Sequence, residues 1–99
     1  MDVEIMNAGG VTTAQVSGRI DSTTAPELDA KISGELKGAK NFVLDFANVE
    51  YISSAGLRVV LAASKVVKGN QGTFKIINTS PLIKEIFDMT GFSEVITIE

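Results

Sequence analysis

The residues with the densest chemical potential lie in "YISSAGLR", Tyr51 to Arg58, where two adjacent hydroxyls, Ser53 and Ser54, precede the nearly bare pair Ala55 and Gly56. Serine is a favoured N-cap, because its oxygen accepts from the free N–H groups in the first turn of a helix. Capping explains one of the two hydroxyls and leaves the other without a role. With only Ala55 and Gly56 behind it, a hydroxyl in that turn is open to a large partner. Glycine inside a helix costs up to about 1 kcal/mol relative to alanine, so its presence points to the close approach of another group. A helix N-terminus also favours an anion through its unpaired N–H groups and its positive dipole end. A bound phosphate or a phosphorylated serine would be at home there.

Other uses of serine fare worse. A nucleophilic serine needs a neighbouring base, and the chain has no histidine; no Ser-x-x-Lys spacing follows either serine. The widely spaced glycines and the Gly-Lys-Ser/Thr ending of a phosphate-binding loop are missing from "ISSAGLR", which leaves a nucleotide resting on the helix end as a weaker reading. The absence of cysteine as well as histidine removes disulfides, thiolate metal sites and imidazole acid/base chemistry. We therefore expect no enzyme activity, no cofactor and no metal.

The elements that must position these serines can be read along the chain. Its 99 residues, 44% hydrophobic and 21% charged, suit a single domain spanning residues 1–99 with one core. Val3 and Ile5 open a strand, Gly9-Gly10 make a turn, and "VTTAQVSGRI" alternates as a second, half-buried strand. Thr24 and Glu27 then have capping-box spacing, with Pro26 in the first turn, Ala25, Leu28, Ile32 and Leu36 on one face, and Gly38 as the stop. "NFVLDF" reads as a central strand covered on both faces. The helix after the serines is mostly buried through Leu57, Val60, Leu61, Ser64 and Val67, and Gly69 is its expected left-handed cap. "TFKIIN" forms the next strand. Ser80 and Pro81 start a third helix, with Leu82, Ile83, Ile86 and Phe87 inward and Gly91 at its end, before a last strand in "SEVITIE". Strands separated by helices should be parallel neighbours joined by right-handed crossovers.

The net charge of -3 and scattered lysines and arginines exclude the basic stripe that nucleic acid requires. "MDVEIMNAGG" lacks the basic start and apolar run of an export signal, and no uncharged apolar segment reaches the roughly 20 residues that cross a bilayer. A soluble, cytoplasmic protein without membrane insertion is the expectation.

Three segments, "SGRIDSTTAPEL", "VLDFANVEYISSAGL" and "SPLIKEIFDMTGF", in this order and spacing over nearly the whole chain, resemble the STAS domains of bacterial anti-sigma factor antagonists. The resemblance implies an α/β fold: a mixed, mostly parallel sheet of four or five strands with three to four helices packed around it. It implies that Ser54 is phosphorylated by a partner that is both a serine kinase and an anti-sigma factor. Ser53 stands where the family usually has an acidic residue and is the alternative acceptor; Ala55 stands where it usually has a hydroxyl. Asp21 matches the family's other acidic residue near the acceptor, and is equally a turn or capping residue by its place. The implied partner surface comprises Asp21, Thr24, Ser53, Ser54, Ala55, Gly56, Leu57 and Arg58.

In that scheme the unmodified domain, a monomer when free, binds the anti-sigma factor and frees a sigma factor. Phosphorylation ends the binding, and a PP2C-type phosphatase reverses it. The alternative within the same fold is a soluble STAS subunit of a membrane lipid or anion transport system that binds its partner constitutively. A stressosome-type scaffold is a further reading, though such subunits usually carry an additional sensor domain.

Overall fold

Gly9 and Gly10, with φ of 58° and 81°, turn the chain sharply between β1 (Asp2–Ala8) and β2 (Val11–Ile20), a conformation that matches the twist of a two-residue hairpin. The computed structural model describes residues 1–99. After the hairpin come α1 (Ala25–Leu36), β3 (Asn41–Ile52), α2 (Ser54–Gly69), β4 (Thr73–Ile77), α3 (Pro81–Met89), a 3-10 turn at Phe92–Glu94 and β5 (Thr97–Ile98). The five strands lie in sequence order, β1 antiparallel to β2 and every later pair parallel, as the alternation of helices and strands predicts.

Because each crossover steps to the next strand in the same direction, right-handed connections put α1, α2 and α3 on one face of the sheet. The core forms there. Ala14 and Val16 of β2, Phe42, Leu44 and Phe46 of β3, and Phe74 and Ile76 of β4 meet Leu28, Ile32, Val60, Val67, Ile83 and Phe87 of the helices. The other face is open and carries Thr13, Gln15, Asp45 and Lys75, so β3 is not covered on both sides. Val43, which points to that face, is buried outside the main core cluster between its register neighbours Thr13 and Lys75. No helix is long and apolar enough to cross a membrane.

Strand β3 runs six residues past the apolar stretch that announced it, reaching Ile52. Its register against β2 shifts twice, between Gln15 and Ser17 and between Gly18 and Arg19, and each shift leaves an extra residue on β3. Asp45 holds the first bulge by accepting from the Ala47 amide at 3.0 Å and from the Asn78 side chain at 3.0 Å. The inward residues Phe46, Val49 and Ile52 are consequently spaced by three, a period that alternation cannot detect.

Several boundaries depart from the sequence reading. Helix α2 ends with Gly69 still helical and Asn70 as its cap; the left-handed position falls on Gln71. Asn70 earns that place through its side chain, which donates to the carbonyls of Leu36 and Ala39 and ties the end of α2 to the end of α1. Leu82 is 56% exposed rather than inward, because one buried stripe through Ile83 and Phe87 suffices for a helix this short. The last strand keeps only Thr97–Ile98, the residues before it being used by the 3-10 turn. Gly38 and Gly91 have the expected positive φ, and Ser80 caps α3 by accepting from the Ile83 amide at 3.2 Å.

Gly56 is the close approach that its helix position announced, and the approaching group is the protein's own sheet. A Cβ there would lie 2.6 Å from Cγ2 of Ile20 and 2.8 Å from Cγ1 of Ile52, both buried β-branched side chains that cannot swing away. We expect Gly56→Ala to destabilise by about 1–3 kcal/mol despite the better helix propensity of alanine. Gly34→Ala, inside α1 with nothing within 4 Å of the added Cβ, should stabilise by up to about 1 kcal/mol. Urea or thermal unfolding of the two variants checks the opposite signs.

Candidate functional site

The parallel pairing of β2 and β3 brings the two candidate segments together. Ile20 and Ile52 are register partners, and the Ser53 amide donates to the Ile20 carbonyl at 2.8 Å. The loop starting at Asp21 and the helix starting at Ser54 therefore leave the same edge of the sheet, the carboxyl end of its parallel strands, where open α/β sheets place their binding crevices.

On the β2 side, the Asp21 carboxylate accepts from the Thr23 amide at 2.9 Å and the Thr24 amide at 3.0 Å. The Thr24 hydroxyl in turn accepts from the Asp21 amide at 2.9 Å and donates to the Arg19 carbonyl at 2.7 Å. Thr24 thus makes no cap to its own helix, and the expected capping box with Glu27 is not formed. Its hydroxyl is used up holding the loop closed, while Asp21 supplies the acceptor that the first amides need. The Thr24 amide, then the Thr23 amide, hold the Asp21 carboxyl below its ordinary 3.8 against the opposing cost of desolvation, with smaller help from the Thr24 hydroxyl and the Arg19 guanidinium. Arg19 itself lies over the Tyr51 ring, 4.5 Å from its centroid, across the β2–β3 register.

On the β3 side the two serines divide their work. Ser53 is the N-cap of α2: its extended backbone (φ -93°, ψ 175°) leads into the helix, its carbonyl accepts from the Leu57 amide at 2.9 Å, and its hydroxyl accepts from the Gly56 amide over a long 3.4 Å. Ser53 is half-buried. Ser54 begins the helix proper, exposed, with its hydroxyl outside the cap.

The remaining candidates separate by the turn of the helix. Gly56, expected on the partner surface, is buried under Ile20 and Ile52 and offers no surface of its own. Leu57 is half-buried against the core. Ala55, also packed against the core, and Arg58 line a groove of about 360 Å³ between α2 and α1, together with Pro26, Asp29 and Val59. The sequence reading missed Pro26, Asp29, Val59 and the Arg19–Tyr51 stack. Ala55, Val59 and Ala62 share a helical stripe that could have been found, but Pro26 and Asp29 join it only through the packing of α1 on α2.

The depressed Asp21 pKa sets a direction for pH. Its contribution to the loop is complete above the unfolded-state value and is lost as pH falls through the lower folded-state pKa, hence below 3.8. In an NMR titration we expect the Asp21 carboxyl midpoint below 3.8, with the Thr23 and Thr24 amide shifts moving along the same curve. A midpoint at or above that value, or amides that ignore it, would contradict the capping geometry.

Comparison with known proteins gives this geometry a family. The STAS domain profile matches residues 2–99. BtrV of Bordetella bronchiseptica is 34% identical over 90 residues, covering 90% of this chain and 78% of BtrV, and the anti-sigma-B factor antagonist of Bacillus subtilis is 28% identical over 98 residues, covering 99% and 90%. Among solved structures, an anti-sigma factor antagonist from Mycobacterium paratuberculosis superposes with a TM-score of 0.86 at 25% identity, over 98% of this chain and 83% of its own. The Bacillus cell fate determinant SpoIIAA in its phosphorylated form gives 0.76 at 20% identity, over 99% and 91%. A five-stranded mixed sheet with three helices, matched by that profile over residues 2–99 and by these relatives over at least 90% of the chain, makes this chain a member of the STAS domain family of anti-sigma factor antagonists.

Proposed function

We propose that the protein is a partner switch: with Ser54 unmodified it binds an anti-sigma factor that is also a serine kinase, and phosphorylation of Ser54 by that kinase ends the complex. A PP2C-type phosphatase returns the domain to its binding state. The observation that carries this reading is the division between the serines. Ser53 supplies the cap and is half-buried, whereas Ser54 stands exposed in the first turn with a hydroxyl free for modification. The existence of SpoIIAA, a protein of the same fold, in a phosphorylated form supports it.

The physics of the switch lies in docking rather than folding. A phosphoserine carries about -1.5 to -2 charges, and in the first turn of α2 it meets the positive end of the helix dipole, so the domain keeps its fold. In a complex that covers Ser54 the same charge would be buried without a partner. Such an uncompensated charge costs roughly 3–5 kcal/mol, on the order of a hundredfold to a few thousandfold in affinity. The surface that would meet the partner is the edge carrying Asp21, Thr24 and Ser54 together with the groove lined by Ala55 and Arg58.

Incubation with a cognate kinase and ATP, followed by mass spectrometry, should place phosphate on Ser54 and lose it in Ser54→Ala. Phosphate on Ser53 alone, or on neither, rejects the assignment. Ser54→Asp should weaken binding to the anti-sigma factor by about a hundredfold or more while its melting temperature stays that of the unmodified protein. Undiminished binding by Ser54→Asp removes the electrostatic mechanism.

A further inference from the structure

The sheet has two edges, and they are treated differently. The β5 edge is only two residues long, a common way to blunt an edge. The β1 edge is seven residues long, "DVEIMNA", with no proline, no lysine and no bulge in its register against β2. Of the devices that usually discourage a further strand it carries only the exposed charges of Asp2 and Glu4.

Which backbone groups it presents follows from the hairpin. The two-residue turn makes Ala8 and Val11 a hydrogen-bonded pair, and such pairs alternate along an antiparallel ladder. Ala8, Met6, Glu4 and Asp2 therefore turn their N–H and C=O groups toward β2. Val3, Ile5 and Asn7 turn theirs outward, where neither β2 nor any loop hydrogen bond engages them. The outward set is symmetric about Ile5. A second β1 laid antiparallel with Ile5 opposite Ile5 would pair Val3 with Asn7 and Asn7 with Val3, satisfying every outward group on both strands.

The side chains agree with that register. On the open face, Glu4 of each copy falls opposite Met6 of the other and Asp2 opposite Ala8, so no two carboxylates lie directly opposite. Met6 is 49% exposed in the single chain. Centring the pair on Glu4 instead would place the two Glu4 carboxylates face to face and would leave Asn7 opposite Met1, outside the strand.

We propose that β1 is a self-association edge, through which two copies of this chain join their sheets in this one register. This takes the place of the monomer expected from the sequence. The two-fold reverses the strand direction, so the Ser54 edges of the two copies point opposite ways and the pair is bivalent for whatever docks there. Pairing through one strand buries far less than the roughly 1,600 Å² of a standard interface, which makes the association weak and concentration-dependent.

Sedimentation equilibrium on the full chain from about 10 µM to about 1 mM should show the mass rising from 10.5 kDa toward twice that value. Over the same range the amide protons of Val3, Ile5 and Asn7 should become protected from solvent exchange. Two exposed substitutions report the register. Met6→Lys sets an ammonium opposite Glu4 twice per dimer and should tighten association about two- to thirtyfold, and Met6→Glu should weaken it by a similar factor. A chain that stays at monomer mass at about 1 mM, or a loss of association in both variants alike, overturns the proposal. Unchanged exchange at Val3, Ile5 and Asn7 does so too, even if the mass rises.

Discussion

The contact that everything else depends on is the seat of α2 on the ends of β2 and β3. Gly56 lets the helix settle directly on Ile20 and Ile52, with no space for even a methyl group between them. That closeness fixes where the first turn begins, and with it which hydroxyl is turned to the cap and which to solvent. A larger residue at position 56 would lift the helix from the sheet and shift both serines relative to the Asp21 loop. The glycine on the α2 side and the paired isoleucines on the sheet side are two halves of one positioning device.

The Asp21 loop is fixed from the other direction by hydrogen bonds instead of packing. Asp21 and Thr24 exchange bonds between side chain and backbone in both directions, and Thr24 anchors the loop to Arg19 in β2. The Ala25 amide, at the start of α1, adds a bond to the Asp21 carbonyl at 2.8 Å. The edge combines an apolar contact under the helix with a polar knot under the loop, and both are set by the same β2–β3 pairing.

The bulges in β3 belong to the same logic. A strand of strict alternation would bring either Val49 or Ile52 to the wrong face. Two extra residues bend the strand so that Phe46, Val49 and Ile52 all reach the core and β3 ends level with β2. Asp45 and Asn78 secure the first of these bends from the open face.

The sequence by itself determined the element order, the direction of the strands, the inward faces of α1 and α3 apart from Leu82, and the serine pair at a strand-to-helix junction. These are local signals: periodicity, cap residues, and glycines where the chain turns. Only the tertiary structure decided that Gly56 faces its own core, that Ser53 is the cap while Ser54 is exposed, and that Asp21 serves its own loop in place of the Thr24–Glu27 box. It alone showed β3 running to Ile52, because the bulges replace a period of two by a spacing of three that no pattern of neighbours reveals. The groove between α1 and α2 was hidden for the same kind of reason, since Pro26 and Asp29 become neighbours of Arg58 only when two helices distant in sequence are packed on one sheet. Local chemistry is written residue by residue, whereas burial and adjacency belong to the packed whole.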